Sequence, residues 1–146
     1  MKRVVAILDT MWDWRQATSS VVGYKSKAPK FFRINPYNFS GKRLYKLVGR
    51  SPSLLVTNAC SELASSARQH GSPDPDWLNE NLKLLDRGVG IDVLLVCGRT
   101  AVKTYNGSGF VPRKAVVIEM PHPAARKVWT KEFEGAMATR IQKELK

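Results

Sequence analysis

His122 stands between two prolines in Met120-Pro121-His122-Pro123-Ala124-Ala125-Arg126, directly after the apolar run that ends at Ile118-Glu119. Each proline fixes its own φ and pushes the preceding residue toward extended geometry, so the imidazole leaves a strand end on a stiff, non-helical backbone. Such a turn aims a side chain, although Pro-His-Pro also suits a merely rigid loop. Asn58 lies at the end of a second apolar run, Leu54-Leu55-Val56-Thr57-Asn58-Ala59-Cys60, and Asp9 follows a third, Arg3 to Leu8. Ligands of open parallel sheets bind at the carboxyl ends of strands, which places Asp9 to act, with capping of the next helix as the competing reading. Asp13 is the secondary carboxylate of the same stretch.

These side chains need a scaffold, and the hydrophobic pattern supplies one. Continuous apolar runs predict strands over Arg3–Leu8, Leu54–Asn58, Asp92–Cys97 and Ala115–Glu119, buried on both faces as in a parallel sheet. Between them lie helical signals. Ser40 reads as an N-cap before Leu44, Leu47 and Val48, and Gly49 is the stop. Ser61–His70 is helix-compatible up to the break at Gly71-Ser72-Pro73, where His70 reads as a surface residue. Asp74 and Pro75 open a helix running to about Arg87-Gly88, and Gly98-Arg99-Thr100 opens another that ends near Asn106-Gly107. The last helix starts near Thr130, with Phe133, Met137, Ile141 and Leu145 on one stripe that reads as core. Strands alternating with helices predict an α/β fold, a three-layer αβα arrangement around a four-stranded parallel sheet.

The 146 residues are the size of one domain, 1–146, with no linker that divides it. Its two cysteines, Cys60 and Cys97, read as small buried hydrophobes and can build neither a disulfide framework nor a cysteine-ligated cluster. No run is long enough to span a bilayer, and the apolar start is shorter than a signal sequence requires. A cytoplasmic monomer with no membrane association, no metal and no cofactor is the expectation.

The net charge is +12, and its distribution is informative. Residues 1–50 hold 11 basic and 2 acidic side chains, residues 51–99 hold 4 and 6, and residues 100–146 hold 9 and 4. Both ends are basic and the middle is not. Polyanion binding follows naturally, because each neutralised phosphate releases counterions, although a basic surface also serves solubility alone. Lys25-Ser26-Lys27-Ala28-Pro29-Lys30-Phe31-Phe32-Arg33 interleaves cations with rings, a pattern that suits stacked bases, or a loop that tucks its aromatic residues under the domain. Lys42 and Arg43 near a helix amino terminus make a phosphate seat.

Taken together in their order, these segments resemble the uracil-DNA glycosylase superfamily over about Pro36 to Arg126. Leu54-Leu55-Val56-Thr57-Asn58 is similar to the strand whose terminal Asn reads the pyrimidine. Val93 to Ala101 is similar to the later strand-Gly-helix unit, and Met120 to Arg126 to the second catalytic motif. Asn35-Pro36-Tyr37-Asn38-Phe39-Ser40-Gly41-Lys42-Arg43-Leu44 resembles a Ser-Gly-Lys/Arg-Leu helix start. The resemblance implies that DNA is the partner and that a base is rotated into a pocket, with Asn58 pairing to its edge. It implies that neutral His122 stabilises charge on the departing base and that Arg126 is a wedge in the vacated stack. Tyr37 or Phe39 supplies the ring stacked on the base, while Ser40, Lys42, Arg43 and Arg99 contact DNA. The first motif departs from the family: Leu8-Asp9-Thr10-Met11-Trp12 replaces a Gly-rich loop, so Asp9 is the remaining candidate to position water.

Three other readings compete with excision of uracil or another modified pyrimidine. One is a non-catalytic DNA-binding descendant of the same fold. A metal-dependent nuclease would need more carboxylates near the strand ends than Asp9 and Asp13. A zinc deaminase would need signatures that this chain lacks.

Overall fold

The computed structural model describes residues 2–10, 30–49, 53–62, 72–88 and 90–146. Met11, Trp12, Asp13, Lys25 to Pro29 and most of the helix expected over Ser61–His70 lie outside the described residues. The chain runs β1 (Arg3–Leu8), α1 (Phe39–Val48), β2 (Ser53–Asn58), α2 (Pro75–Arg87), β3 (Val93–Cys97), α3 (Arg99–Ser108), β4 (Val116–Met120) and α4 (Lys131–Glu144). The four strands form one parallel sheet in the order β2-β1-β3-β4, and helices cover both faces. This is the three-layer αβα fold that the alternation of apolar runs and helical signals predicts.

Alternation along each strand sorts the core into two halves. Val4, Ala6, Leu8, Leu54, Val56, Val93, Leu95, Cys97, Ile118 and Met120 pack on one side with Leu44 and Leu47 of α1 and Ile141 of α4. Val5, Ile7, Leu94 and Val96 pack on the other with Leu78, Leu82 and Leu85 of α2 and Ala101 of α3. Strands buried on both faces cannot alternate polar with apolar residues, which is why they read as continuous apolar runs.

Local signals set most element ends. The Asp74 side chain accepts from the Trp77 N–H at 3.0 Å, Pro75 occupies the first turn of α2, and the Thr130 side chain accepts from the Phe133 N–H at 3.2 Å to start α4. Three expectations are corrected. The cap of α1 is Asn38 rather than Ser40, because Asn38 Oδ1 accepts from the Gly41 N–H at 2.7 Å, while Ser40 is buried inside the first turn. Phe31 and Phe32 are not a stacking surface. Phe32 pairs its backbone with Val56 at 2.8 Å in both directions and is buried on the α1 side, while the half-buried Phe31 packs on the opposite side. Of the α4 stripe only Ile141 is fully buried, because α4 packs chiefly on α1, and Met137, Leu145 and Phe133 stay half covered.

The amino edge of the sheet is held by Asp92, whose Oδ2 accepts from the Arg3 N–H at 2.7 Å and whose Oδ1 lies 3.2 Å from Lys114 Nζ. Burial by itself would raise this carboxyl, but the Arg3 amide and Lys114 outweigh it and hold the group below its ordinary value. A depressed carboxyl contributes stability above its unfolded value, and the contribution is lost as pH falls through the folded one. Asp92→Asn is therefore expected to lower the melting temperature at pH 7. The gap to the parent should begin to narrow as pH falls past about 4 and close once pH is below the depressed folded value; a gap that persists in still stronger acid would contradict the charged role. Among the described residues, no helix is long and apolar enough to cross a membrane.

Candidate functional site at the carboxyl edge of the sheet

In the order β2-β1-β3-β4 the chain leaves β1 toward one neighbour and later returns on the other side, so the β1 and β3 ends flank a topological switch point. Asp9 follows β1 and Gly98 follows β3 there. Asn58 ends β2 in register with Leu8, and His122 lies two residues beyond Met120, which is in register with Cys97. All four positions are thus at one edge.

Asn58 is 1% exposed, and its Nδ2 has no hydrogen-bond partner. Among the described residues the other such atoms are Asn38 Nδ2 and Asn79 Oδ1, both on half-buried residues. An amide donor left unpaired in the interior costs about 1–3 kcal/mol, so its retention calls for an explanation. Strand alternation directs Asn58 toward the α1 and α4 side, with its register partner Leu8 and with Val56.

The histidine loop is tied to that same side. The Ala124 N–H donates to His122 Nδ1 at 3.0 Å. A backbone N–H is always a donor, so Nδ1 is the unprotonated nitrogen, and the neutral ring carries its proton on Nε2. The His122 carbonyl accepts from the Ala125 N–H and from Trp129 Nε1, each at 2.9 Å. Lys127, at φ 69°, turns the chain between them in the left-handed region that a side chain rarely adopts.

Gly98 lets this loop sit close. Its φ is 94°, its N–H donates to the Met120 carbonyl at 2.8 Å, and a Cβ added there would meet the His122 Cβ at 3.2 Å. The next residue, Arg99, is exposed at the amino end of α3, where no side chain caps the helix. From Asn58 to Gly98 the edge spans two strand spacings, or about 10 Å.

Asp9 stands just past the end of β1, the middle strand of this span. Its backbone carbonyl accepts from the Cys60 N–H at 3.1 Å, and its Oδ1 accepts from the Thr10 hydroxyl at 3.1 Å with Cys60 Sγ at 3.8 Å. Burial and the neighbouring Asp9 carboxylate push the Cys60 thiol up, against the lowering effect of Thr10, and burial does the same to Cys97. Both cysteines are free and buried.

Arg43, expected on the phosphate track, is engaged by the protein itself. Its Nε donates to Glu134 Oε2 at 3.0 Å, its Nη1 donates to the Pro123 carbonyl at 2.7 Å, and its guanidinium lies 5.1 Å from the Trp129 ring centre. One side chain thus joins α1, α4 and the residue after His122. Sequence reasoning missed Trp129 and Glu134, whose roles depend on contacts with Arg43 91 and 86 positions away in the chain for Glu134 and Trp129 respectively. Arg43→Lys keeps the charge and loses the fork, so it is expected to slow any reaction that uses His122 by about tenfold. Ligand affinity measured in the same preparation should change less; equal losses would contradict a positioning role.

The remaining expected residues divide between two places. Arg126 is exposed on the His122 loop. Tyr37, Phe39 and Lys42 line a groove of about 830 Å³ along α1, with Arg43, Lys46 and Glu134 on its walls. Neither Asn58 nor His122 lines this groove, so the exposed rings of Tyr37 and Phe39 are beside the Asn58–His122 edge rather than enclosed with it. Ser40, 8% exposed, is covered. Among the described residues no three His, Cys, Asp or Glu side chains cluster in a way that could hold a metal ion. No protein-family model matches the chain, and no curated protein matches it.

Proposed function

We propose that this chain is a DNA glycosylase that rotates uracil or another modified pyrimidine out of the stack and hydrolyses its N-glycosidic bond. The observation that carries the reading is the pairing of two donors on one side of one sheet edge. Asn58 Nδ2 is buried without a partner, and His122 is locked in the form that bears hydrogen on Nε2.

In this reading a pyrimidine edge supplies the acceptor that Asn58 lacks, and the amide oxygen accepts from the base in return. The bond between C1′ and the base nitrogen breaks with its electron pair passing to the base. Negative charge then grows on the ring carbonyl, where His122 Nε2–H donates to it, and water adds to C1′ with its released proton passing through solvent to the departed base anion. Asp9 is a carboxylate at the switch point that would orient that water or offset positive charge on the sugar. The uncapped start of α3 adds the positive end of a helix dipole beside the histidine loop. Arg126, Arg99 and Lys42 are exposed cations that would meet phosphates in this reading.

One observation favours a non-catalytic DNA binder instead: Asp9 Oδ1 already accepts from the Thr10 hydroxyl, with the Cys60 thiol nearby. A single assay separates the two. Oligonucleotides carrying uracil or other altered pyrimidines are incubated with the protein and then treated with alkali, which cleaves at abasic sites. Scission at one altered base supports the glycosylase; tight binding with no scission at any of them overturns it in favour of the binder.

A further inference from the structure

The groove along α1 has no part in the bond-breaking steps, yet its composition is specific. Tyr37 is 83% exposed and Phe39 70% exposed, two large rings standing in water two positions apart. Neither is on loose chain. The Tyr37 N–H donates to Asn35 Oδ1 at 2.9 Å, and Phe39 opens α1 directly after the Asn38 cap. Gly41 locks this entry further, because any Cβ there would run into the Asn35 carbonyl.

Phe39, Lys42 and Lys46 follow at helical spacings of three and four, so they share one face of α1. The groove's acid, Glu134, is neutralised by Arg43 at 3.0 Å and lies 3.7 Å from Lys46. What remains is a path of two rings followed by cations. The groove meets the histidine loop through Arg43, which lines it and donates to the Pro123 carbonyl.

Rings beside cations match a nucleic-acid strand, whose bases stack on aromatic faces while its phosphates meet amines. Bases inside a duplex are already stacked and cannot present their faces to Tyr37 and Phe39. We infer that the α1 groove seats an unpaired stretch of the substrate strand next to the extruded nucleotide, making single-stranded DNA the preferred substrate. The identity of that strand rests on the glycosylase reading; the binding itself is measured without catalysis.

The test is fluorescence anisotropy of the full chain with a labelled single-stranded thymidine oligomer and with the matching duplex. Tyr37→Ala/Phe39→Ala is expected to weaken single-strand binding by about tenfold or more and to lower the ratio of single-strand to duplex affinity. Tyr37→Ala alone, at a loop position, should show the same direction if the double variant folds poorly. Inorganic polyphosphate should compete weakly. An unchanged ratio, or competition by polyphosphate as strong as by the oligomer, would overturn the proposal. Base release by the parent with ring-independent binding sinks the groove alone. Ring-dependent binding by a parent that releases no base sinks the glycosylase reading and leaves the groove as a nucleic-acid seat.

Discussion

His122→Ala is expected to slow base release roughly 100- to 1,000-fold, the usual effect of removing one donor aimed at developing charge. Affinity for substrate DNA should stay within about twofold, because the Nε2–H contact strengthens only as the bond breaks. The Ala124 N–H occupies Nδ1 at 3.0 Å and leaves the proton of the neutral ring on Nε2. Single-turnover rates and equilibrium binding on the same oligonucleotide measure the two quantities separately. If rate and affinity fell together, His122 would be a binding residue and the proposed chemistry would need another donor.

Asn58→Leu separates function from stability in the opposite sense to most core substitutions. An apolar group of similar size removes a buried donor that has no partner, so the melting temperature should hold or rise, by an amount corresponding to about 1 kcal/mol. Base release should meanwhile fall by roughly 100-fold or more, since the base edge loses its donor and acceptor. A residue serving only the fold gives the reverse pattern. Should the variant melt several degrees lower with its activity falling only in proportion, Asn58 would be a structural amide and the reading of the sheet edge would fail.

Both variants test a site that was only partly legible in the residues. Asn58, His122 and Asp9 could be singled out because each follows a continuous apolar run, and the end of a buried parallel strand is where a polar side chain becomes useful. The Tyr37 and Phe39 pair was equally visible, but its surroundings were not. Local sequence gave no means to tell a ring enclosed with the base from one standing in an open groove, because that depends on how α1 meets α4. The misplaced cap of α1 has a similar origin. Ser40 has the right chemistry for a cap, yet the turn from Asn35 to Gly41 places Asn38 where the free N–H groups point.

The four strands, the starts of α2 and α4 and the αβα class were determined by the sequence itself. Burial on both faces and side-chain capping act over a few residues and leave a pattern in the chain. The strand order β2-β1-β3-β4, the shared side of Asn58 and His122 and the turning of Arg43 inward to Pro123, Glu134 and Trp129 were decided only by tertiary structure. Each joins groups far apart in sequence, and the geometry of such contacts is set by packing rather than by the identity of neighbouring residues.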